Sequence, residues 1–210
     1  MDVFFDIETG PLAADIVQHR AELRATNFIG EEKEKRIRDS IEFAPLNAET
    51  GRTVAIGYSY PAGDDIVGVI EGSMTEEDVL CDFWDRVITH RSHGDNFVGF
   101  NIFGFDLKFI VRRCWYLNLG RSVIGSMYRF MPDKYGKWND MFIDLAAVYG
   151  MKSQDRISLN LLCECLGLEG KNGCGKEFAG LWETDRQQAS EYLINDLRMT
   201  REVAERMGVV

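Results

Sequence analysis

Near the start of the chain two carboxylates stand one residue apart, Asp6 and Glu8, in the run Phe4-Phe5-Asp6-Ile7-Glu8-Thr9-Gly10. A β-strand alternates its side chains with period two, so both acids point to one side and Ile7 to the other. Like charges held side by side raise each other's pKa unless something neutralises them. A divalent cation is the usual remedy, and Mg²⁺ takes one or two protein carboxylates together with phosphate oxygens. The pair therefore points to metal-assisted phosphate chemistry. An isolated D-x-E also arises by chance, so the reading needs further acids.

Two more segments supply them. In Gly99-Phe100-Asn101-Ile102-Phe103-Gly104-Phe105-Asp106 an apolar strand ends at a glycine turn and an acid then opens a helix. An isolated Asp at that place is a helix cap. Its functional alternative is that the strand end lifts Asp106 toward the edge where Asp6 and Glu8 sit. In Tyr192-Leu193-Ile194-Asn195-Asp196 a tyrosine and an acid lie four apart, one turn along the same helix face. Alone, that pair reads as a surface Tyr and Asp on an amphipathic helix.

These residues need strands and helices to hold them. Residues 3–7, 53–60, 65–70 and 96–101 read as strands, rich in β-branched and aromatic side chains. Thr75, followed by Glu76, Glu77 and Asp78, caps a helix whose apolar residues recur at three-and-four spacing to about residue 90. Further helices are expected from Asp106 to about Leu117, from Ser158 to Leu166 with Gly167 as its stop, and from Thr184 to Met207. Residues 141–149 hold another strand or helix. Between the first two strands lies a charged insertion, 13–50, with Glu31-Glu32-Lys33-Glu34-Lys35-Arg36 at its centre. It reads as a solvated surface helix pair, with a flap bordering a substrate cleft as the sharper alternative. The order of elements implies an α/β fold with helices on both faces of a central mixed β-sheet.

Composition limits the function classes. The 210 residues are expected to form one domain, with 45% hydrophobic and 28% charged residues. No apolar stretch approaches a membrane span, and no basic region followed by an apolar one opens the chain, so a cytoplasmic protein is expected. The five cysteines are expected as free thiols. Cys163, Cys165 and Cys174 lack the usual C-x₂-C spacing of a zinc site. The formal net charge of −10 argues against tight, sequence-independent duplex binding. It suits an enzyme that grips a short strand end and lets go. Gly170-x₄-Gly175-Lys176 is nearly a phosphate-binding loop, but Glu177 stands where the Mg²⁺ hydroxyl is needed, so a plain loop is expected, in which Lys171 or Lys176 could touch a strand.

Taken in order, the three segments resemble the DEDD superfamily of 3′-to-5′ exonucleases, in its tyrosine-bearing (DEDDy) branch. Phe5-Asp6-Ile7-Glu8-Thr9 and Gly99-Phe100-Asn101-x₃-Phe105-Asp106 are closest to the proofreading exonuclease domain of family B DNA polymerases. Gly51–Gly57, Ser158-Leu159 and Gly167-Leu168-x-Gly170-Lys171 resemble stand-alone relatives. The departures are Leu193 after Tyr192, where polymerases often carry cysteine, and the insertion at 13–50. No polymerase domain follows in these residues, so proofreading in cis is not expected.

The resemblance implies a ribonuclease H-like fold. Its sheet would be antiparallel among the first three strands and parallel beyond, with the acids meeting at one end. It implies two divalent ions, Mg²⁺ or Mn²⁺, on Asp6, Glu8, Asp106 and Asp196. Tyr192 would orient or deprotonate the attacking water; with a pKa near ~10 a phenol is a poor base, so orientation is the more economical role. The implied activity is release of nucleoside 5′-monophosphates from the 3′ end of DNA, preferably single-stranded. RNA 3′-end trimming on the same scaffold stays open, because recognition of the 2′-OH is a local contact. A non-catalytic nucleic-acid-binding module is the third reading, against which five intact catalytic positions weigh. Around the acids, Thr9 and Gly10 would offer backbone N–H groups to the terminal nucleotide. Leu12 would wedge between bases and Phe105 stack on one. Asn101 would bond a base or sugar edge, and Lys108 and Arg112 would meet phosphates. Packing or solvation is an equal reading for each.

Overall fold

Strand β1 (Asp2–Pro11) lies at the centre of the sheet because its side chains are apolar on both faces. Val3, Phe4, Phe5 and Ile7 are all buried. The computed structural model describes residues 2–60, 66–68, 75–151, 157–170 and 178–210. Among these, five strands form one sheet in the order β3-β2-β1-β4-β5. β2 (Gly51–Ser59) and β3 (Ile66–Gly68) extend it antiparallel on one side of β1. β4 (Asn96–Gly99) and β5 (Phe142–Asp144) extend it parallel on the other. This is the mixed α/β arrangement the sequence implies. The near-phosphate-binding loop, with Lys171, Cys174 and Lys176, lies outside the described residues.

The alternation of β1 divides the core in two. Val3, Phe5 and Ile7 pack with α3 (Glu76–His93) and α4 (Asp106–Tyr116). Phe4 packs with α7 (Leu159–Leu166) and α9 (Arg186–Arg206) on the other face. Asp6 and Glu8 share Phe4's parity and so face α9. Thr75 and Asp78 form a reciprocal capping box at the start of α3. Gly167, in the left-handed conformation at φ 70°, stops α7.

Gly57 sits directly across β2 from Asp6. A Cβ there would lie 2.8 Å from both Leu193 Cγ and Leu197 Cδ1 of α9. The missing side chain lets α9 approach the sheet at the level of the acids. On the opposite face a buried ion pair ties several elements together. Arg113 of α4 donates two hydrogen bonds to Glu76 at the start of α3 and one to the Ala48 carbonyl. Glu76 also accepts the Thr53 N–H of β2.

The remaining elements refine the sequence reading. The insertion contains α1 (Ala14–Arg24), α2 (Gly30–Glu42) and a 3-10 turn, Ala44–Leu46. It is a surface helix pair: α1 buries only Val17 and Ala21, and α2 buries nothing. Residues 141–149 hold both alternatives in succession, strand β5 and then α6 (Leu145–Tyr149). Two short helices carried no periodic signal long enough to read, α5 (Arg121–Met127) and α8 (Phe178–Thr184). Cys114 and Cys163 are buried, Cys81 half-buried and Cys165 exposed, all as free thiols. No described helix is long and apolar enough to cross a membrane.

Candidate active site

Asp6 and Glu8 project from β1 where the strand changes register. Asp6 pairs with Gly57 and Glu8 with Ala55, and a bulge follows between Glu8 and Thr9. Such bulges increase local twist and re-aim side chains. From α9, Asp196 arrives on the same side. Carboxylate oxygens of Asp6, Glu8 and Asp196 all lie within 4.8 Å of one another. Glu8 and Asp196 are buried, and Asp6 is half-buried.

Asp106 reaches the same region from the neighbouring strand. β4 runs parallel to β1, so its C-terminal end and the turn after it lie beside Asp6. Asp106 is the first residue of α4, and its N-cap position is filled by Phe105. Its carboxylate is not spent on capping but accepts the Ile7 N–H at 3.3 Å. Asp6 and Asp106 both line an open cleft of about 950 Å³, together with Asn101, Phe103, Phe105 and Asp144. Asp6 thus belongs to both the trio and the cleft.

The electrostatics are those of buried acids. Burial pushes the Asp106 carboxyl up to about 7, opposed by its own and Ile7's backbone N–H groups and assisted by the charge of Asp144. Asp144 is also raised by burial, against four backbone N–H bonds that lower it. Three or four hard oxygen donors converging in this way form a donor set suited to Mg²⁺ or Mn²⁺.

Tyr192 precedes Asp196 by one turn of α9. It is half-buried, and its ring centroid lies 6.0 Å from that of Phe178 on α8. Asn101 is exposed at the mouth of the cleft with φ 60°, and Phe105 is half-buried with its ring 5.5 Å from Phe109. Thr9 and Gly10 are buried. The Leu12 N–H donates to the Thr50 carbonyl. Lys108 and Arg112 are exposed on α4. Thr9, Gly10, Leu12 and Lys108 do not line the cleft formed by the described residues.

Asp144 is the residue that sequence reasoning missed. Its signal was present, since Phe142-Ile143-Asp144 repeats the pattern of a short apolar strand ended by an acid. A second group of possible ligands, His90, His93 and Asp95, lies at the far end of β4. There His90 Nδ1 and Asp95 already form a 2.7 Å bond that ties α3 to the strand.

Comparison with known proteins agrees with this geometry. A family B DNA polymerase from the hyperthermophilic archaeon Pyrobaculum calidifontis superposes with a TM-score of 0.63 at 20% identity. The likeness covers 98% of this chain and 24% of that polymerase, so the chain spans about a quarter of the polymerase's length. At this identity the likeness shows the fold, which is ribonuclease H-like. A search of curated proteins finds no match. Residues 46–201 match a family model described as a predicted 3′-5′ exonuclease related to the exonuclease domain of PolB. The matched span contains Asp106, Asp144, Tyr192 and Asp196, while Asp6 and Glu8 precede it. It takes in most of the sequence, and the chain belongs to this family of predicted 3′-5′ exonucleases.

Proposed function

We propose that the protein removes nucleotides one at a time from the 3′ end of DNA, acting on single strands and releasing nucleoside 5′-monophosphates. The observation that carries this reading is the convergence of Asp6, Glu8 and Asp196 beside a cleft that Asp6 shares with Asp106. Asp6, Glu8, Asp106 and Asp196 would hold two divalent ions, Mg²⁺ or Mn²⁺. Such ions supply the positive charge that activates the attacking water and stabilises the leaving 3′-oxygen.

The chain's own groups do the rest. Asp6, common to both sets of acids, fixes them relative to each other. Tyr192, one turn from Asp196, orients the attacking water through its hydroxyl. Asn101 and Phe105, at the cleft, take the terminal nucleotide by hydrogen bonding and stacking. Lys108 and Arg112 on the exposed face of α4 meet the phosphates that follow. Thr9, Gly10 and Leu12 follow the acids along the chain, outside the lining of the cleft, and the family resemblance gives them a part in seating the last nucleotide.

The test is release of mononucleotides from end-labelled single-stranded DNA and from RNA of the same sequence, with Mg²⁺, with Mn²⁺ and with EDTA. Stepwise shortening of DNA in either metal, and none in EDTA, is expected. Cleavage of RNA alone would reassign the enzyme to RNA trimming. Full activity in EDTA would refute the role given to the acids.

A further inference from the structure

We propose that Asp144 is a positioning residue, which sets the turn that presents Asn101 and Asp106 to the nucleotide and the metal. This rests on the exonuclease reading above. Asp144 ends β5, is 3% exposed, and uses both carboxylate oxygens. Oδ1 accepts the N–H groups of Ala146 at 3.0 Å and Ala147 at 3.4 Å, which caps α6. The same oxygen accepts the Asn101 N–H at 2.8 Å. Oδ2 accepts the Phe103 N–H at 2.9 Å. A five-residue helix needs one capping oxygen. The second serves only the turn.

That turn is demanding. Asn101 is left-handed at φ 60°, a conformation that asparagine takes more readily than other side chains do but that still favours glycine. Its carbonyl accepts the N–H groups of Gly104 and Phe105, and the Ile102 carbonyl accepts that of Leu107, so the turn runs directly into the first turn of α4. The Asn101 amide lies over Gly104, where a Cβ would come within 2.2 Å of its oxygen. With its N–H groups aimed inward, the turn is a backbone concavity of the kind that binds anions. Here the anion is a side chain of the neighbouring strand. Asp144 lies 43 residues from Asn101, so the clamp joins β5 to the end of β4. Phe105, the N-cap of α4, supplies no side-chain cap, so release of either bond would loosen the turn that leads into Asp106, whose carboxylate is tied to β1 by the Ile7 N–H.

Asp144→Asn separates the two roles. The amide keeps an oxygen for Asn101, Ala146 and Ala147, but sets its NH₂ against the Phe103 N–H. Outer-shell partners of this kind typically alter metal affinity or activity by about 10–100-fold. We expect Asp144→Asn to bind Mn²⁺ about tenfold more weakly in calorimetry without substrate, and to lose about tenfold or more in kcat/KM. These would hold at a temperature where circular dichroism shows it folded. Asp144→Ser keeps a capping oxygen for α6 and gives up both bonds to the turn, and should give the same loss of Mn²⁺ affinity even if Asp144→Asn does not fold. Wild-type Mn²⁺ affinity and kcat/KM in Asp144→Ser, or in a folded Asp144→Asn with a lowered Tm, would reduce Asp144 to a helix cap and overturn the proposal. Wild-type protein that binds no Mn²⁺ and shortens no strand would instead overturn the exonuclease reading, and this proposal with it.

Discussion

At the scale of single residues, the acids and the tyrosine make separable predictions. Asp6→Ala and Asp106→Ala should abolish hydrolysis in Mg²⁺ or Mn²⁺ while leaving the circular dichroism spectrum unchanged, because each removes a proposed metal ligand and no apolar core side chain. Residual activity near wild type in either would break the assignment. Asp106 also makes a pH prediction. In the metal-free protein its folded pKa is about 7, against an ordinary 3.8. Between those values the folded state holds a proton that the unfolded chain releases, so stability falls as pH rises through the interval. Below it both states are protonated, and above it the loss is complete. In EDTA, the Tm of wild type should therefore decline across this window more steeply than that of Asp106→Asn. Parallel curves would show that the buried carboxyl is not what titrates. Tyr192→Phe keeps the ring on Phe178 and removes only the hydroxyl. On the proposed role, kcat should drop by roughly tenfold to a thousandfold with KM little changed. A fully active Tyr192→Phe would leave the phenol as packing.

At the scale of elements, the question is what brings α9 to the acids. Gly57 does so by leaving space for Leu193 and Leu197. Gly57→Val overfills that contact, which should cost about 1–3 kcal/mol. Because the displaced helix carries Asp196, Mn²⁺ affinity should fall in the same variant even where it remains folded. A stable Gly57→Val with normal affinity would mean that α9 is placed by other contacts. The Arg113–Glu76 pair is a control that belongs to neither the trio nor the lining of the cleft. Arg113→Met leaves a buried carboxylate short of its partner and should lose about 3–5 kcal/mol in denaturant melts. Activity per folded molecule should be unchanged. This scale also shows what could be read from sequence. Period-two alternation placed Asp6 and Glu8 on one face, and helical spacing placed Tyr192 beside Asp196; both are local regularities. The capping box at Thr75 and the stop at Gly167 were equally local. The clamp of Asp144 on Asn101 and Phe103 joins residues more than 40 apart, and no periodicity encodes it. The short helices α5 and α8 have too few turns to display a face. Gly57 reads as one more glycine in a strand until α9 is laid across it.

At the scale of the whole molecule, a protein of net charge −10 is proposed to act on a polyanion. Affinity built on many phosphate contacts falls steeply with salt, because each neutralised phosphate releases a counterion. Here the cationic side chains proposed to meet the strand are two, Lys108 and Arg112, so kcat/KM should fall only shallowly with monovalent salt. A slope matching six or more phosphates would reveal a basic surface elsewhere. Ions at the acids should matter more to the fold than salt does. A ligand that binds only the folded state raises Tm in proportion to its binding free energy. Mn²⁺ should therefore raise the Tm of wild type and fail to raise that of Asp6→Ala, since Asp6 is the acid shared by the trio and the cleft. The 3′-5′ polarity predicted for the family adds a requirement for a strand end. The acids sit at one end of the sheet, where a strand terminus can be led past Asn101 and Phe105 and its last phosphate set between Asp6 and Asp106. A closed single-stranded circle has no terminus to lead in and should resist degradation, whereas the linear form of the same sequence is consumed from its 3′ end. The comparison needs matched circular and linear substrates in Mn²⁺, with products resolved by length. Circles cut as fast as linear strands would make the cleft that of an endonuclease.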